Sequence, residues 1–600
     1  MPLANQTRLL PDHLIRYRTR ARGASQKLRA FQKPPSDVRW GCVLFISLDP
    51  SSTLAPSTCA AIHNLFTFAR CLPATLYFVY SLYNARNLFR SLQRQGLPMP
   101  PHDPIWGHLK LIGRILKDLP PDIMPSAALA HEIRLRYPHL DQAFYLDQWP
   151  FFKPMLVVLS PDGARQVAQG QSLPKEPGQR EFLKPLTGGY DLDTMEGDEW
   201  KFWHNIFSPG FRVANIAGLV PSLVEIAGVF CDRLRRCVNR NEVVSLSPMA
   251  LDLTMDFSSK AIMGHDMHCQ AGYNLFAAAM ASQLSWLHYR GTSLLRDINF
   301  IRPFVQCYNT WRMDSYIKKV LKENSEAAES KQTNSISILD AANAPQDQGH
   351  LRILPDVIRS QIKFMMLAGY DTTGSSIVFM TNLLSQHPEV LARVRVEHDN
   401  VFGSDLKATA GLIASQPKLL NQLPYTTAVI KESLRIYPPG ATQRLGNRVF
   451  NVFIQAFSDT SETDTREKPV AALRSLPTER CNVYVSHYAI HHNSRYWFRS
   501  SEFLPDRWLV KEKDDPLQPP ANGWRPFERG PRSCIGQEMA LAEIKMVCAL
   551  TAREFDFKPA YEETGQTEKY HGDPVYLVSR GGAANPSRFF PCRVSYAKRT

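Results

Sequence analysis

Along this chain the apolar residues recur mainly at helical spacing. Leu, Ile, Val, Met and Phe fall three and four apart around residues 215–237, 272–290, 355–385, 418–436 and 536–553, and each segment predicts a helix with one buried face. Strand-like runs are the minority, NVYVSHYAI at 482–490 being the clearest. Residues 325–350 are polar and read as a loop, while 451–470 are ambiguous and end in the polar run SDTSETDTREKP. No internal repeat or second linker divides the chain after residue 105. The pattern predicts a mainly α fold with small β-sheets, of the α+β class, in one large domain spanning 96–600.

The N-terminal part reads differently. Residues 59–83 approach the roughly 20 apolar residues that a membrane-spanning helix needs, although Arg70 and Pro73 interrupt them. Arg86, Arg90 and Arg94 follow at i, i+4, i+8, so 59–95 reads as a membrane anchor with a basic flank and a cytosol-facing body beyond it. A buried helix is the alternative. The prolines of GLPMPPHDP, 96–104, favour a stiff linker. Residues 1–58 read as a basic tail, disordered or the product of a misread first exon. The Arg-rich start is also the composition of a mitochondrial presequence, but no strong apolar helical face accompanies it.

Charge changes the picture in one respect. The net formal charge is +14, and the first forty residues hold nine Arg or Lys against Asp12 and Asp37, which is half of the excess. The rest is spread over a long body with no basic stripe interleaved with aromatics. That argues against a nucleic-acid partner and for an anionic membrane surface beside the tail.

Eleven cysteines, scattered singly and without a C-x-x-C, make neither a disulfide framework nor a zinc or iron–sulfur site. Cys534 alone has a special neighbourhood, PFERGPRSCIGQEMALAEIKMVCAL at 526–550. Gly530, Pro531 and Gly536 break the chain around it and a helix begins just after, a position whose backbone N–H groups favour thiolate. Such a thiolate suits the axial position of a haem iron, with Arg532 placed for a propionate and Phe527 shielding the sulfur. An ordinary buried cysteine is the competing reading.

The pattern F-x-x-G-x-R-x-C-x-G, filled by Phe527, Gly530, Arg532, Cys534 and Gly536, resembles the haem-binding loop of the cytochrome P-450 family. The resemblance implies a b-type haem, haem b, with Cys534 as the metal ligand. A second string, LAGYDTTGSS at 367–376, puts Asp371 and Thr372 in an apolar run; Gly369 makes room for a close approach to the backbone, and Thr372 is placed to bond back to a carbonyl and bend the helix. A plain polar kink is the competing reading. The string is similar to the A-G-x-D-T-T of the family's central helix, filled by Ala368, Gly369, Asp371 and Thr372, which implies an oxygen-binding groove with acid and alcohol roles for the last two. In PYTTAVIKESLRIYPPG, 424–440, Glu432 and Arg435 lie one turn apart, a spacing that usually means a surface ion pair. In the family this E-x-x-R joins a later arginine in a buried triad, and FLPDRWL supplies Arg507. Arg444 is a weaker candidate for a propionate contact. EGDEWKFWHNIFSPGF, 196–211, resembles the early haem-facing helix, with Trp200 in place of its tryptophan but His204 where an arginine usually meets a propionate. The connection around 449–470 carries no motif and reads as a loop insertion or a retained intron.

The resemblance implies a monooxygenase that takes electrons from an external NADPH-dependent flavoprotein reductase and hydroxylates or epoxidises an apolar small molecule, at the endoplasmic reticulum membrane. The strings GLPMPPHDPIWGHL, LPYTTAVIKESLRIYPP and ALTAREFDF look most like filamentous-fungal enzymes of secondary metabolism. A haem-thiolate isomerase or dehydratase, and a catalytically impaired paralogue, are the other readings.

Overall fold

The computed structural model describes residues 56–170, 172–287, 299–329, 337–339, 355–455, 473–580 and 582–598. The tail before residue 56 lies outside them. Of two compact units, Met1–Phe78 and Val79–Thr600, the second holds nearly all of the described chain.

Helices dominate the second unit, as the periodicity requires. The segments around 215–237, 355–385 and 536–553 form Val213–Arg240, Pro355–Gln386 and Gln537–Thr551. The segment 418–436 divides into the short 3-10 turn Pro417–Gln422 and the helix Pro424–Ile436, because a proline opens each piece. Of 272–290, Leu275–Ser285 is helical and the end lies outside the described residues.

Pro355–Gln386 is the structural centre and packs along Leu246–Met263. The contact depends on two glycines. A Cβ on Gly369 would sit 2.6 Å from Ser258 Oγ, and one on Gly374 would sit 2.9 Å from Thr254 Oγ1. The group that closes on Gly369 is therefore a neighbouring helix. Thr254 Oγ1 also lies 2.7 Å from the Tyr370 carbonyl, a direct link between the helices.

A four-stranded sheet lies in the order Ala143–Leu146, Met155–Val158, Asn482–Val485, Thr442–Leu445, with the middle pair parallel and the outer pairs antiparallel. The run 482–490 is strand only over Asn482–Val485; His487–His491 turns helical, with the Ser486 hydroxyl accepting from the Ala489 N–H.

Two expectations about connecting segments need correction. The polar stretch taken as a loop from 325 is still helix as far as Glu329, the end of Ile301–Glu329; apart from 337–339, its remainder lies outside the described residues. In the connection read as an insertion or intron, Asn451–Gln455 pairs antiparallel with Leu473–Pro477, and Val452, Ile454 and Leu476 are buried in one apolar cluster with Phe89, Tyr145 and Val483. That part belongs to the fold, while 456–472 lie outside the described residues.

The presumed anchor forms one helix, Pro56–Arg94, with Pro73 inside it. Its C-terminal part is integral to the second unit, so the expected boundary at residue 95 moves to residue 78. Phe89 and Leu92 are buried in that cluster. Arg86, expected to flank a membrane, is buried and donates to Asp147 at 2.5 Å and to the Ile105 carbonyl at 2.7 Å. Among the described residues one helix is long and apolar enough to cross a membrane, Val213–Arg240, and it buries Ile216, Leu219, Leu223 and Phe230 in the core.

Candidate active site

A cavity of about 350 Å³ lies between the central helix Pro355–Gln386 and the loop that precedes Gln537–Thr551. Cys534, Phe527, Arg532 and Gly536 line it from the loop side, and Ala368, Gly369 and Thr372 from the helix side. Motifs 150 residues apart in sequence therefore face one space.

The loop is held by backbone geometry. The Cys534 N–H donates to the Phe527 carbonyl at 2.8 Å. Gly530 has φ +93°, and a Cβ there would lie 2.4 Å from the Ala168 carbonyl oxygen, so only glycine fits. Gly536 has an ordinary φ and precedes the helix as its N-cap. Burial pushes the Cys534 thiol up, opposed by the Gly536 N–H. The helix N-terminus thus acts on the sulfur as expected, and Cys534 itself is exposed at the cavity surface.

Arg532 does not reach freely into the cavity. Its Nη2 donates to the carbonyls of Met195 at 2.8 Å and Asp193 at 2.9 Å, Nη1 pairs with Glu196 at 3.2 Å, and the guanidinium lies 4.6 Å from the Trp200 ring centroid. Trp200 and His204 also line the wall, their ring centroids 4.8 Å apart. Burial and the Arg532 charge hold His204 below the usual imidazole value, against a bond with Asn205, so its uncharged form prevails near neutral pH.

Arg444 stands out. It is 1% exposed, it lines the cavity, and its Nε and Nη1 have no hydrogen-bond partner among the described residues. A buried guanidinium without an acceptor is costly unless an anion completes it. Sequence alone ranked Arg444 low because nothing in its neighbours announces its burial.

Thr372 lines the cavity and its Oγ1 donates to the Ala368 carbonyl at 2.7 Å, the helix back-bond expected from sequence. Asp371 is not part of the cavity wall. Its carboxylate accepts from the Ala583 N–H at 2.6 Å and from Asn585 Nδ2 at 3.1 Å, on the hairpin of Leu577–Ser579 and Ala584–Pro586. Burial raises its pKa despite those two bonds.

Glu432, Arg435 and Arg507 come together in the interior, at 0%, 0% and 1% exposure. Arg435 donates to Glu432 from Nε at 3.0 Å and Nη2 at 2.8 Å, and Trp508 Nε1 adds a bond at 3.0 Å. The remaining guanidinium donors of Arg435 reach the carbonyls of His491, Ser500 and Glu502. The surface ion pair suggested by the spacing is thus a buried network.

Sequence reasoning missed His487, Lys175 and Asp193 on the same wall. Lys175 Nζ pairs with Asp193 at 2.6 Å. His487 Nε2 lies 3.2 Å from Glu528 Oε2, and Glu528 also receives Arg525. The only sequence signal for the last pair is the i, i+3 spacing of Arg525 and Glu528.

The cytochrome P-450 family model matches residues 140–449 and 475–579. A cytochrome P-450 monooxygenase of Polytolypa hystricis, polC, is 41% identical over 88% of this chain and 94% of its own length. Another from Aspergillus aculeatus, acrF, is 33% identical over 76% of this chain and 95% of its own length, and ptmG of Penicillium ochrochloron is 27% identical over 87% and 94%.

Proposed function

The chain belongs to the cytochrome P-450 family and is a monooxygenase, and we propose that Cys534 ligates the iron of a b-type haem held in the cavity described above. The observation that carries this is the pairing, on one cavity, of Cys534 with Arg444, a buried guanidinium whose Nε and Nη1 have no acceptor among the described residues. A flat, dianionic cofactor with a metal at its centre satisfies both at once.

When bound, the haem supplies the redox chemistry that activates O₂. The protein supplies the rest. Arg444 receives a cofactor carboxylate, and Arg532, fixed by carbonyls and Glu196, closes the polar end with Trp200 and His204. Phe364, Met365, Ala261, Ile262 and Ile338 give the space an apolar wall that takes an apolar substrate and excludes water. The Thr372 hydroxyl, at the cavity surface, holds and passes a proton. Asp371, adjacent in sequence but turned to the hairpin, stores the proton behind it and fixes that hairpin against the central helix.

The substrate is an apolar small molecule that is hydroxylated or epoxidised, in a fungal secondary-metabolite route. Electrons come from an NADPH-dependent flavoprotein reductase. The endoplasmic reticulum membrane, with the body facing the cytosol, is the site of action, supported by the exposed Leu76, Tyr77 and Phe78 of Pro56–Arg94. The test is spectroscopic: purified protein should give the reduced-CO Soret band of a thiolate-ligated haem, lost in Cys534→Ala and kept in Cys548→Ala. A thiolate-type band surviving in Cys534→Ala overturns the assignment.

A further inference from the structure

Three of the ten tryptophans stand in file outside the cavity. Trp497, Trp508 and Trp524 have ring centroids 6.0 Å and 5.6 Å apart in that order, and Trp524 lies 5.9 Å from Phe527. Phe527 lines the cavity, and its carbonyl receives the Cys534 N–H. A single phenyl ring thus links an indole to the space assigned to the cofactor.

The three indoles differ in how readily each gives up an electron, because a nearby cation holds that electron back. Trp497 is 1% exposed and has the guanidiniums of Arg435 and Arg507 over its ring at 5.4 Å and 5.7 Å. Trp508 has the Lys431 ammonium 5.6 Å from its centroid, and its Nε1 donates to Glu432, whose charge two arginines already offset. Among the described residues no cation stacks on Trp524, whose Nε1 donates to the Lys431 carbonyl at 3.0 Å. Its ring is half-buried, so one edge meets solvent. Trp524 is therefore the easiest of the three to oxidise, the one next to the cavity wall and the one a small solute can reach.

Resting on the haem assignment above, we propose that Trp524 is a redox-active residue through which the protein discharges oxidising equivalents left on the cofactor when no substrate takes them. Peroxide brings two such equivalents and is itself reduced to water. Trp524 returns one electron across Phe527, whose ring is a bridge and is not oxidised; the indole Nε1 proton passes to water and a neutral radical remains. A soluble one-electron donor such as ascorbate then supplies an electron at the exposed edge, the proton returns, and a second round clears the second equivalent. The sum is one peroxide and two ascorbate anions converted to two waters and two ascorbyl radicals. The cations beside Trp508 and Trp497 keep the electron vacancy from moving inward to the Glu432 network, so it stays where a solute quenches it.

Full-length ferric holoprotein, free of substrate, is mixed with hydrogen peroxide, frozen rapidly and read by electron paramagnetic resonance. Wild type should give an organic-radical signal that changes shape when ring-deuterated tryptophan is incorporated. Trp524→Phe should lose it, and Trp524→Tyr should replace it with a tyrosyl signal insensitive to that label, a change of chemical identity that a merely structural role would not produce. Ascorbate should erase the wild-type signal and slow peroxide bleaching of the Soret band, and should give Trp524→Phe no such protection. A tryptophan signal that survives in Trp524→Phe overturns the proposal, as does a wild type with no organic radical or equal protection of both proteins by ascorbate. Should Trp524→Phe load haem poorly, Trp524→Tyr decides, a persisting indole signal being the refuting result. If wild type gives no thiolate-type reduced-CO band, the haem assignment itself fails, an outcome separate from these.

Discussion

Arg507 donates from Nε to Glu432 Oε1 at 2.9 Å, across 75 residues of chain, and both side chains are fully buried. The same carboxylate takes two bonds from Arg435. Removing one member leaves uncompensated charge in the interior. Glu432→Ala or Arg435→Ala should therefore cost ~3–5 kcal/mol and yield little haem-loaded protein. Urea unfolding and the haem-to-protein absorbance ratio check this; a loss under 1 kcal/mol, typical of exposed pairs, would contradict it.

Thr372 reaches the cavity and Asp371 does not, so their variants should fail differently. Thr372→Ala should bind haem, CO and substrate normally but send a larger share of NADPH electrons to hydrogen peroxide. Asp371→Asn should slow turnover by roughly 10²-fold with coupling less affected. It should also loosen the hairpin, because an amide cannot accept from both Ala583 N–H and Asn585 Nδ2 with the same oxygens. NADPH oxidation, peroxide and product measured together separate the two; unchanged values in both variants would leave this helix merely bent.

Glu543, one turn beyond Ala540 on the cavity wall, is pushed up to about 8 by burial. Its folded value lies above the unfolded glutamate value of about 4.3. The stability it contributes is thus complete below that unfolded value and lost as pH rises toward 8. Glu543→Gln should become progressively more stable than wild type between pH 5 and 8, by up to several kcal/mol. Denaturation midpoints across that range test the sign; parallel curves would show that the carboxyl ionises freely.

The position of Arg86 and Phe89 sets where the chain can be cut. Deleting residues 1–78 should leave a stable haem-loaded body, whereas deleting 1–94 should destabilise it by removing Phe89 from its cluster and stranding Asp147. Asp147 would retain His102, 2.9 Å away, as its remaining side-chain partner among the described residues. Thermal melts of the two truncations give the comparison, and equal melting temperatures would count against an integral role for the C-terminal turns of Pro56–Arg94.

Much of the chemistry was legible because it is local. The glycine at 530, the cysteine four residues later and the helix that follows are fixed by backbone rules acting over a few residues, as is the Thr372 bond to Ala368 one turn back. Helical periodicity likewise reports one buried face without saying which element covers it. What only tertiary structure decided depends on residues far apart in sequence. Glu432 becomes a buried network when Arg507 and Trp508 arrive from another segment. Asp371 faces Ala583 and Asn585 because the hairpin packs on that side of the central helix, where Gly582 leaves room for its carboxylate. Arg444 acquires its unmet nitrogens from strand register and burial, which are long-range properties. Sequence spacing encodes what a turn of backbone can reach; the environment of a charge is set by whatever the fold brings around it.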